Sequence, residues 1–176
     1  MLNRIAIVGA PGTGKTTLAS ILSEIYNIPA THIDGIHHLE NWVIREQEER
    51  DKIILEIVQK DKWIIDGTYK STIRARFERA ELIIWLDFST FAQIKGVMGR
   101  YLKNKGIEKP EIPGCKEKMD REFFNYVLKY NKNKRKFIVD NLNGIEKEKI
   151  IVFKNRHQVN SWIKKLKQNM IGENNI

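Results

Sequence analysis

The chain has 176 residues, 41% hydrophobic and 30% charged, with a formal net charge of +9. That length suits one domain with a sizeable core, and that balance excludes a disordered chain. No apolar run approaches the roughly 18 residues of a membrane span, and a lone cysteine, Cys115, fits a reducing, cytoplasmic setting without an internal disulfide.

Short β-type runs alternate with longer helical stretches. Asn3–Gly9 is an almost continuous apolar run ending in glycine, which predicts a buried central strand. Gly14 to Tyr26 carries Leu18, Ile21, Leu22 and Ile25 at helical spacing. "PATHID" predicts a second strand leading into a loop at Gly35–Asn41, and Arg45 to Lys60 predicts a helix with Ile53, Ile54, Ile57 and Val58 on one face. "KWIID" is a third strand, Tyr69 to Arg79 a helix, "ELIIWLD" a fourth strand and Phe91 to Lys103 a helix. "KGIEKPEIPGC", with two prolines and two glycines, predicts a mobile lid loop within about 104–118. A helix from about Lys116 to Lys134, a fifth strand "EKIIVFK" and a closing helix Gln158 to Asn169 complete the series, with a frayed tail at 171–176. The alternation predicts a single α/β domain over 1–170, a parallel sheet covered by helices on both faces.

Gly9, Gly14, Lys15 and Thr16 complete G-x-x-x-x-G-K-[ST] between a strand and a helix, the arrangement of a phosphate-binding P-loop. Glycines let the backbone N–H groups of Gly9, Ala10, Pro11 (a carbonyl only), Gly12, Thr13 and Gly14 curl around phosphate, and the helix start adds its positive dipole end. Lys15 is expected to bridge the β- and γ-phosphates of ATP, with Thr16 holding Mg²⁺ and Thr17 beside it.

The surplus charge is concentrated. Between Lys95 and Lys136 there are 13 Lys and Arg against 5 Asp and Glu. Such a block suits nucleic acid or a small polyphosphate equally, though no nucleic-acid motif accompanies it. Motors and switches usually carry an acidic pair after an apolar run or guanine-reading motifs, and neither is present. A second strand ending in Asp34, a third in Asp66-Gly67 and a basic lid suit a small phosphotransferase instead.

"VGAPGTGKTTLA", "HIDGIHHLENW", "WIIDGTY", "RAELIIWLD" and "GCKEKMDREFFNYVLKY" occur in the order and spacing of the topology modulation protein family, which this chain resembles from about Ile5 to Trp162. That family is similar to adenylate and shikimate kinases. The resemblance implies a three-layer P-loop kinase with a five-stranded parallel sheet of order 2-3-1-4-5 and a small basic lid. It also implies a nucleoside or nucleotide kinase using ATP and Mg²⁺. A nucleotide-gated DNA- or RNA-binding regulator and a simple ATPase are the competing expectations.

Asp34 is the candidate base or orienting group for an attacking hydroxyl, its structural alternative being a turn cap at Gly35. By resemblance to adenylate kinase, Asp66 holds a water on Mg²⁺, and Gly67, Thr68 and Tyr69 then border the acceptor pocket. Also by that resemblance, Arg100 and Arg135 clamp the transferring phosphoryl group, and Arg156 lies where the nucleobase rests. Arg76 is expected to reach the acceptor. His32, His37 and His38 with Asp34 are weighed as a zinc cluster against an acceptor contact from His37 or His38. Trp42 is left open between core and acceptor pocket, whereas Trp63, Trp85 and Trp162 are expected in the core. Lys116, Lys118 and Arg121 are expected on the lid helix as exposed partners of Glu117, Asp120 and Glu122.

Overall fold

A computed structural model describes residues 2–173. Five strands form a parallel sheet: β1 (Arg4–Gly9), β2 (Ala30–His32), β3 (Trp63–Asp66), β4 (Leu82–Leu86) and a last strand at Ile150–Phe153, in the order second, third, first, fourth, last. This is the expected order. Alternate residues of β1 face opposite sides, as the two-residue repeat of a strand requires. Ile5 and Ile7 pack with Leu18, Leu22, Leu86 and Phe153, while Ala6 and Val8 pack with Ile33, Ile54, Phe77 and Ile138. These two clusters are the seams of a three-layer sandwich. Helices α1 (Lys15–Tyr26) and the closing helix Arg156–Glu173 cover the first seam, and α3 (Gln47–Val58) and α4 (Ile73–Arg79) cover the second. Each fully buried Ile or Leu contributes roughly 1.5–3 kcal/mol.

Between these lie α2 (Ile33–His37), which follows β2 without a break, and a single 3-10 turn at Glu40–Trp42. Helix α5 (Thr90–Asn104) starts at Ser89, whose Oγ accepts from the Ala92 N–H at 3.3 Å.

The expected lid loop is instead an antiparallel hairpin, β5 (Glu108–Lys109) and β6 (Ile112–Lys116), with Pro110 and Glu111 at its turn. Ile112 and Cys115, three residues apart on β6, are both buried, which ties this short hairpin to the body of the domain. The helix after it also differs from expectation. α6 (Arg121–Leu142) starts five residues later than Lys116 and runs eight beyond Lys134. The Asp120 carboxylate accepts from the Phe123 N–H at 2.8 Å and so fixes the start. Val127, Tyr130 and Ile138, buried on one face, carry it past the Asn/Lys-rich stretch. Lys116 and Lys118 therefore precede the helix. The last strand is β7 (Ile150–Phe153) and the last helix α7 (Arg156–Glu173), which is longer than Gln158 to Asn169. Of the tail at 171–176, residues 174–176 lie outside the described residues.

Candidate active site

The P-loop joins β1 to α1 at the carboxyl edge of the sheet. Gly14 stands before α1 in the left-handed region (φ 92°, ψ 26°), where a side chain would be strained, and no side chain caps the helix. The first N–H groups of α1 are thus left for an anion. The Ala10 carbonyl accepts from the Thr13 hydroxyl at 2.8 Å and from the Lys15 ammonium at 3.0 Å, which folds Lys15 back across its own loop. Burial pulls the Lys15 pKa down, an effect opposed first by the Asp34 and then by the Asp66 carboxylate. Both acidic candidates therefore act on the P-loop ammonium. Thr16 is half-buried and Thr17 exposed at the helix start. Arg156, first residue of α7, donates from Nη2 to the Gly12 carbonyl at 3.1 Å and so lies over the loop.

The other side of the loop is held by groups the sequence reading did not assign to it. The Thr68 hydroxyl accepts from the Gly9 N–H (3.1 Å) and donates to the Gly9 carbonyl (3.2 Å). Thr68 was expected to border the acceptor, but its side chain is committed to the P-loop backbone. Gly96 of α5 touches the loop from above: a methyl group there would stand 2.8 Å from the Gly12 carbonyl carbon and nearer still to its oxygen. A glycine inside an otherwise helical pattern was the available signal for this contact.

Asp66 ends β3 opposite His32 of β2, with Oδ1 3.2 Å from His32 Nδ1. The carboxylate raises the His32 pKa, against the effect of burial. Asp66 is 4% exposed, and its Oδ2 has no hydrogen-bond partner among the described residues. A buried carboxylate oxygen left without a partner is costly and suits a water on a hard cation. Thr16 and Asp66 thus fit Mg²⁺. No group of three His, Cys, Asp or Glu able to hold a metal occurs among the described residues, so the histidines do not assemble with Asp34 as the zinc reading needs.

Asp34 lies in the first turn of α2, and its Oδ1 accepts from the Tyr69 hydroxyl at 3.2 Å. Burial, then the Asp34 charge, pushes the Tyr69 phenol far above its usual value, so Tyr69 stays a donor. His37 stands 4.9 Å from the Tyr69 ring, and its pKa is lowered by burial and then by His38 and Arg50. Arg50 of α3, absent from the sequence candidates, is 8% exposed and lies over the Tyr69 ring at 5.2 Å. Trp42 is half-buried, 5.2 Å from His38, and so lies outside the core. Trp63 and Trp85 are buried as expected, and Trp162 packs partly buried against Phe153.

Two arginine expectations are corrected. Arg76 has no exposure. Nη1 donates to the Gly67 carbonyl (2.8 Å) and Nη2 to that of Tyr69 (3.1 Å), and burial pulls its pKa down to about 10. It pins the 67–69 loop and does not reach an acceptor. Arg135 sits on α6 with Nε and Nη2 on the Asp87 carboxylate (3.0–3.2 Å), which Lys154 also holds. That ion cluster beside Trp85 fastens α6 to the ends of β4 and β7 and takes Arg135 away from a phosphoryl clamp.

The lid docks on the segment 35–42. The Cys115 thiol accepts from the Trp42 N–H at 3.1 Å and donates to the Leu39 carbonyl at 3.4 Å. Lys109 and Lys118 lie over the Trp42 ring at 5.4 and 5.2 Å, and the Glu111 carbonyl closes against Gly35. Arg100 of α5 donates to Glu117, which is buried rather than an exposed partner of the lid lysines. Arg100 remains beside the P-loop, close enough for its charge to act on Lys15.

A phosphate-binding loop at the carboxyl edge of a parallel sheet, in this strand order and under a lid, defines a P-loop NTPase fold of the shikimate and adenylate kinase type. The profile of the ATPase family associated with various cellular activities (AAA) matches residues 5–87. An adenylate kinase of Encephalitozoon cuniculi (strain GB-M1) is 31% identical over 117 residues, 56% of this chain and 66% of that protein. The chain thus spans just under two thirds of that relative's length. Among solved structures, shikimate kinase from Acinetobacter baumannii in complex with shikimate superposes with a TM-score of 0.61 at 15% identity, covering 98% of this chain and 95% of that one. Shikimate kinase from Bacteroides thetaiotaomicron gives 0.55 at 16% identity, covering 97% and 99%. Among the described residues no helix is long and apolar enough to cross a membrane.

Proposed function

We propose that the chain is an ATP-dependent phosphotransferase that moves the γ-phosphoryl group of ATP·Mg to a small acceptor, a nucleoside or nucleotide. The observation that carries this reading is the P-loop after β1 with Asp66 at the end of the neighbouring β3 and Asp34 just after β2, all at one sheet edge. Phosphate cradle and candidate base share one site, with the lid hairpin closed against Gly35.

The P-loop amides and Lys15 hold the β- and γ-phosphates, and Lys15 exchanges its Ala10 carbonyl for phosphate oxygen. Thr16 and Asp66 would hold Mg²⁺, which would supply charge screening between those phosphates. Asp34, oriented by Tyr69, takes the proton of the acceptor hydroxyl as its oxygen bonds to γ-phosphorus and the bond to the β-phosphate oxygen breaks. Arg100, released from Glu117, meets the charge on the transferring group. Arg156 lies toward the nucleobase. A cytoplasmic setting, where ATP is supplied and the free Cys115 thiol persists, belongs to this reading. Membership of the topology modulation protein family is likewise proposed, on the motifs quoted above.

The test is ADP release from ATP·Mg over a panel of nucleosides, nucleoside monophosphates and hydroxylated metabolites. Stimulation by an acceptor supports the reading, and Lys15→Ala abolishes it. Release that no acceptor changes points to a simple ATPase. Asp34→Asn lowers turnover of a hydroxyl acceptor by about 10²–10⁴-fold, and that of a phosphate acceptor much less.

A further inference from the structure

An anionic acceptor, a phosphomonoester or a carboxylate, needs a cation whose donors are free, most often an arginine fork. Three arginines stand on the acceptor side, and each is occupied. Arg50 donates from Nε and Nη2 to Asp51 Oδ1 (2.9 and 2.8 Å), from Nη2 also to Ser71 (3.2 Å), and its Nη1 lies 3.3 Å from His37 Nδ1. Ser71 in turn donates to the same Asp51 oxygen at 2.8 Å, which holds that carboxylate in place. Arg76 is sealed onto the Gly67 and Tyr69 carbonyls. Arg45 donates to the Ile36 carbonyl at 2.8 Å and pairs with Glu49. The lid ammoniums nearest this wall, Lys109 and Lys118, lie over the face of Trp42.

What remains open toward Asp34 is aromatic. Tyr69 and His37 form one wall. Helix α6 supplies another: Phe123 and Tyr126 stack at 6.5 Å, and Tyr126 meets Tyr130 edge-on at 5.8 Å. Tyr126 keeps 43% of its surface exposed, and partial burial, then the Asp34 charge, raises its phenol. Tyr130 is 3% exposed, and its hydroxyl has no hydrogen-bond partner among the described residues. Such a site carries the charge of Asp34 against occupied cations. It repels a second anion and offers ring faces and phenol hydroxyls instead.

We propose that the acceptor is a neutral hydroxyl compound bearing a planar ring, nucleoside-like, rather than a phosphomonoester or a hydroxy acid. This rests on the phosphotransferase reading of the same site. Asp34 then acts as a true base, since a hydroxyl and not a phosphate attacks. Tyr69 and His37, which stand beside Asp34, are the residues that select the ring.

The experiment compares kcat/KM for each common nucleoside with that for its 5′-monophosphate, with ribose and a carboxylated polyol as ringless controls, while ATP·Mg affinity is measured separately by calorimetry. A nucleoside should exceed its monophosphate by at least roughly tenfold, and ribose should stay at background. Asp51→Asn frees the Arg50 fork and should shift that ratio toward the monophosphate by about tenfold, a gain that misfolding does not produce. Equal or better use of monophosphates or the hydroxy acid overturns the proposal and leaves the P-loop reading standing. So does ATP binding without turnover of any nucleoside, or an unchanged ratio in Asp51→Asn protein that still binds ATP normally. Failure to bind ATP·Mg at all sinks the underlying reading instead.

Discussion

Gly96 and Gly99 lie three residues apart in α5 and should respond oppositely to the same substitution. Replacing either by alanine adds about 0.8–1.0 kcal/mol of helix propensity. At Gly99 a methyl group meets nothing within 4 Å, so that gain is kept. At Gly96 it stands 2.8 Å from the Gly12 carbonyl carbon and 3.1 Å from its Cα, where ordinary contact begins at 3.4 Å. Both are backbone atoms of the phosphate loop, and Arg156 holds the same carbonyl. The loop must move, at an overpacking cost of about 1–3 kcal/mol that meets or exceeds the propensity gain. Gly99→Ala should therefore raise the melting temperature by about 2–4 °C and leave ATP·Mg affinity unchanged. Gly96→Ala should show no rise in melting temperature and lose at least about tenfold in ATP·Mg affinity, because a displaced cradle no longer converges on the phosphates. Differential scanning fluorimetry and calorimetry on the pair measure both effects. Equal stabilisation of the two variants with unchanged affinity would refute the claim that α5 sets the loop.

Thr68→Val removes the hydroxyl that serves both backbone groups of Gly9 and should cost about 1–3 kcal/mol in urea unfolding, with Thr68→Ser restoring it. Arg76→Leu strands the Gly67 and Tyr69 carbonyls in the interior and should cost about 2–5 kcal/mol, and Arg76→Lys should not rescue it, since one ammonium cannot span the fork. Burial alone would raise the Asp87 carboxyl, but hydrogen bonds from Arg135 and Lys154 outweigh it and hold it below the usual range. Its stabilisation is present above the unfolded value of about 3.9 and is lost as pH falls through the lower folded value. Asp87→Asn should therefore flatten the decline of the urea midpoint below about pH 4.

The three central strands β1, β3 and β4 were legible because they are apolar runs buried on both faces, and the P-loop because its spacing leaves few alternatives. The lid was not. Its hairpin is a two-residue strand against a five-residue one, and proline with glycine reads as irregular chain until Ile112 and Cys115 find the acceptor segment to pack on. The arginines misled for a different reason. An arginine near a sheet edge reads as a ligand clamp, yet Arg76 and Arg135 meet carbonyls and a carboxylate 9 and 48 residues away, partners that local pattern does not display. Arg50 was missed because on a helix with mixed charge it looks like a solvated face.

Those occupied arginines bear on how the fold divides its labour. On the proposed reading, the cations Lys15 and Arg156 hold only neutral carbonyls that a triphosphate can displace, whereas Arg100 holds the buried Glu117 carboxylate. Those on the acceptor side hold carboxylates or backbone that they need for the loop's shape. Charge is therefore exchangeable at one end of the cleft and fixed at the other. The lid is tied to both: Glu117 to Arg100, and Cys115 to Trp42. Under the proposed function, a polyphosphate that draws Arg100 away from Glu117 would loosen the lid at one attachment while the thiol keeps the other, and so would couple the nucleotide's arrival to the segment around Trp42 without requiring charge on the acceptor.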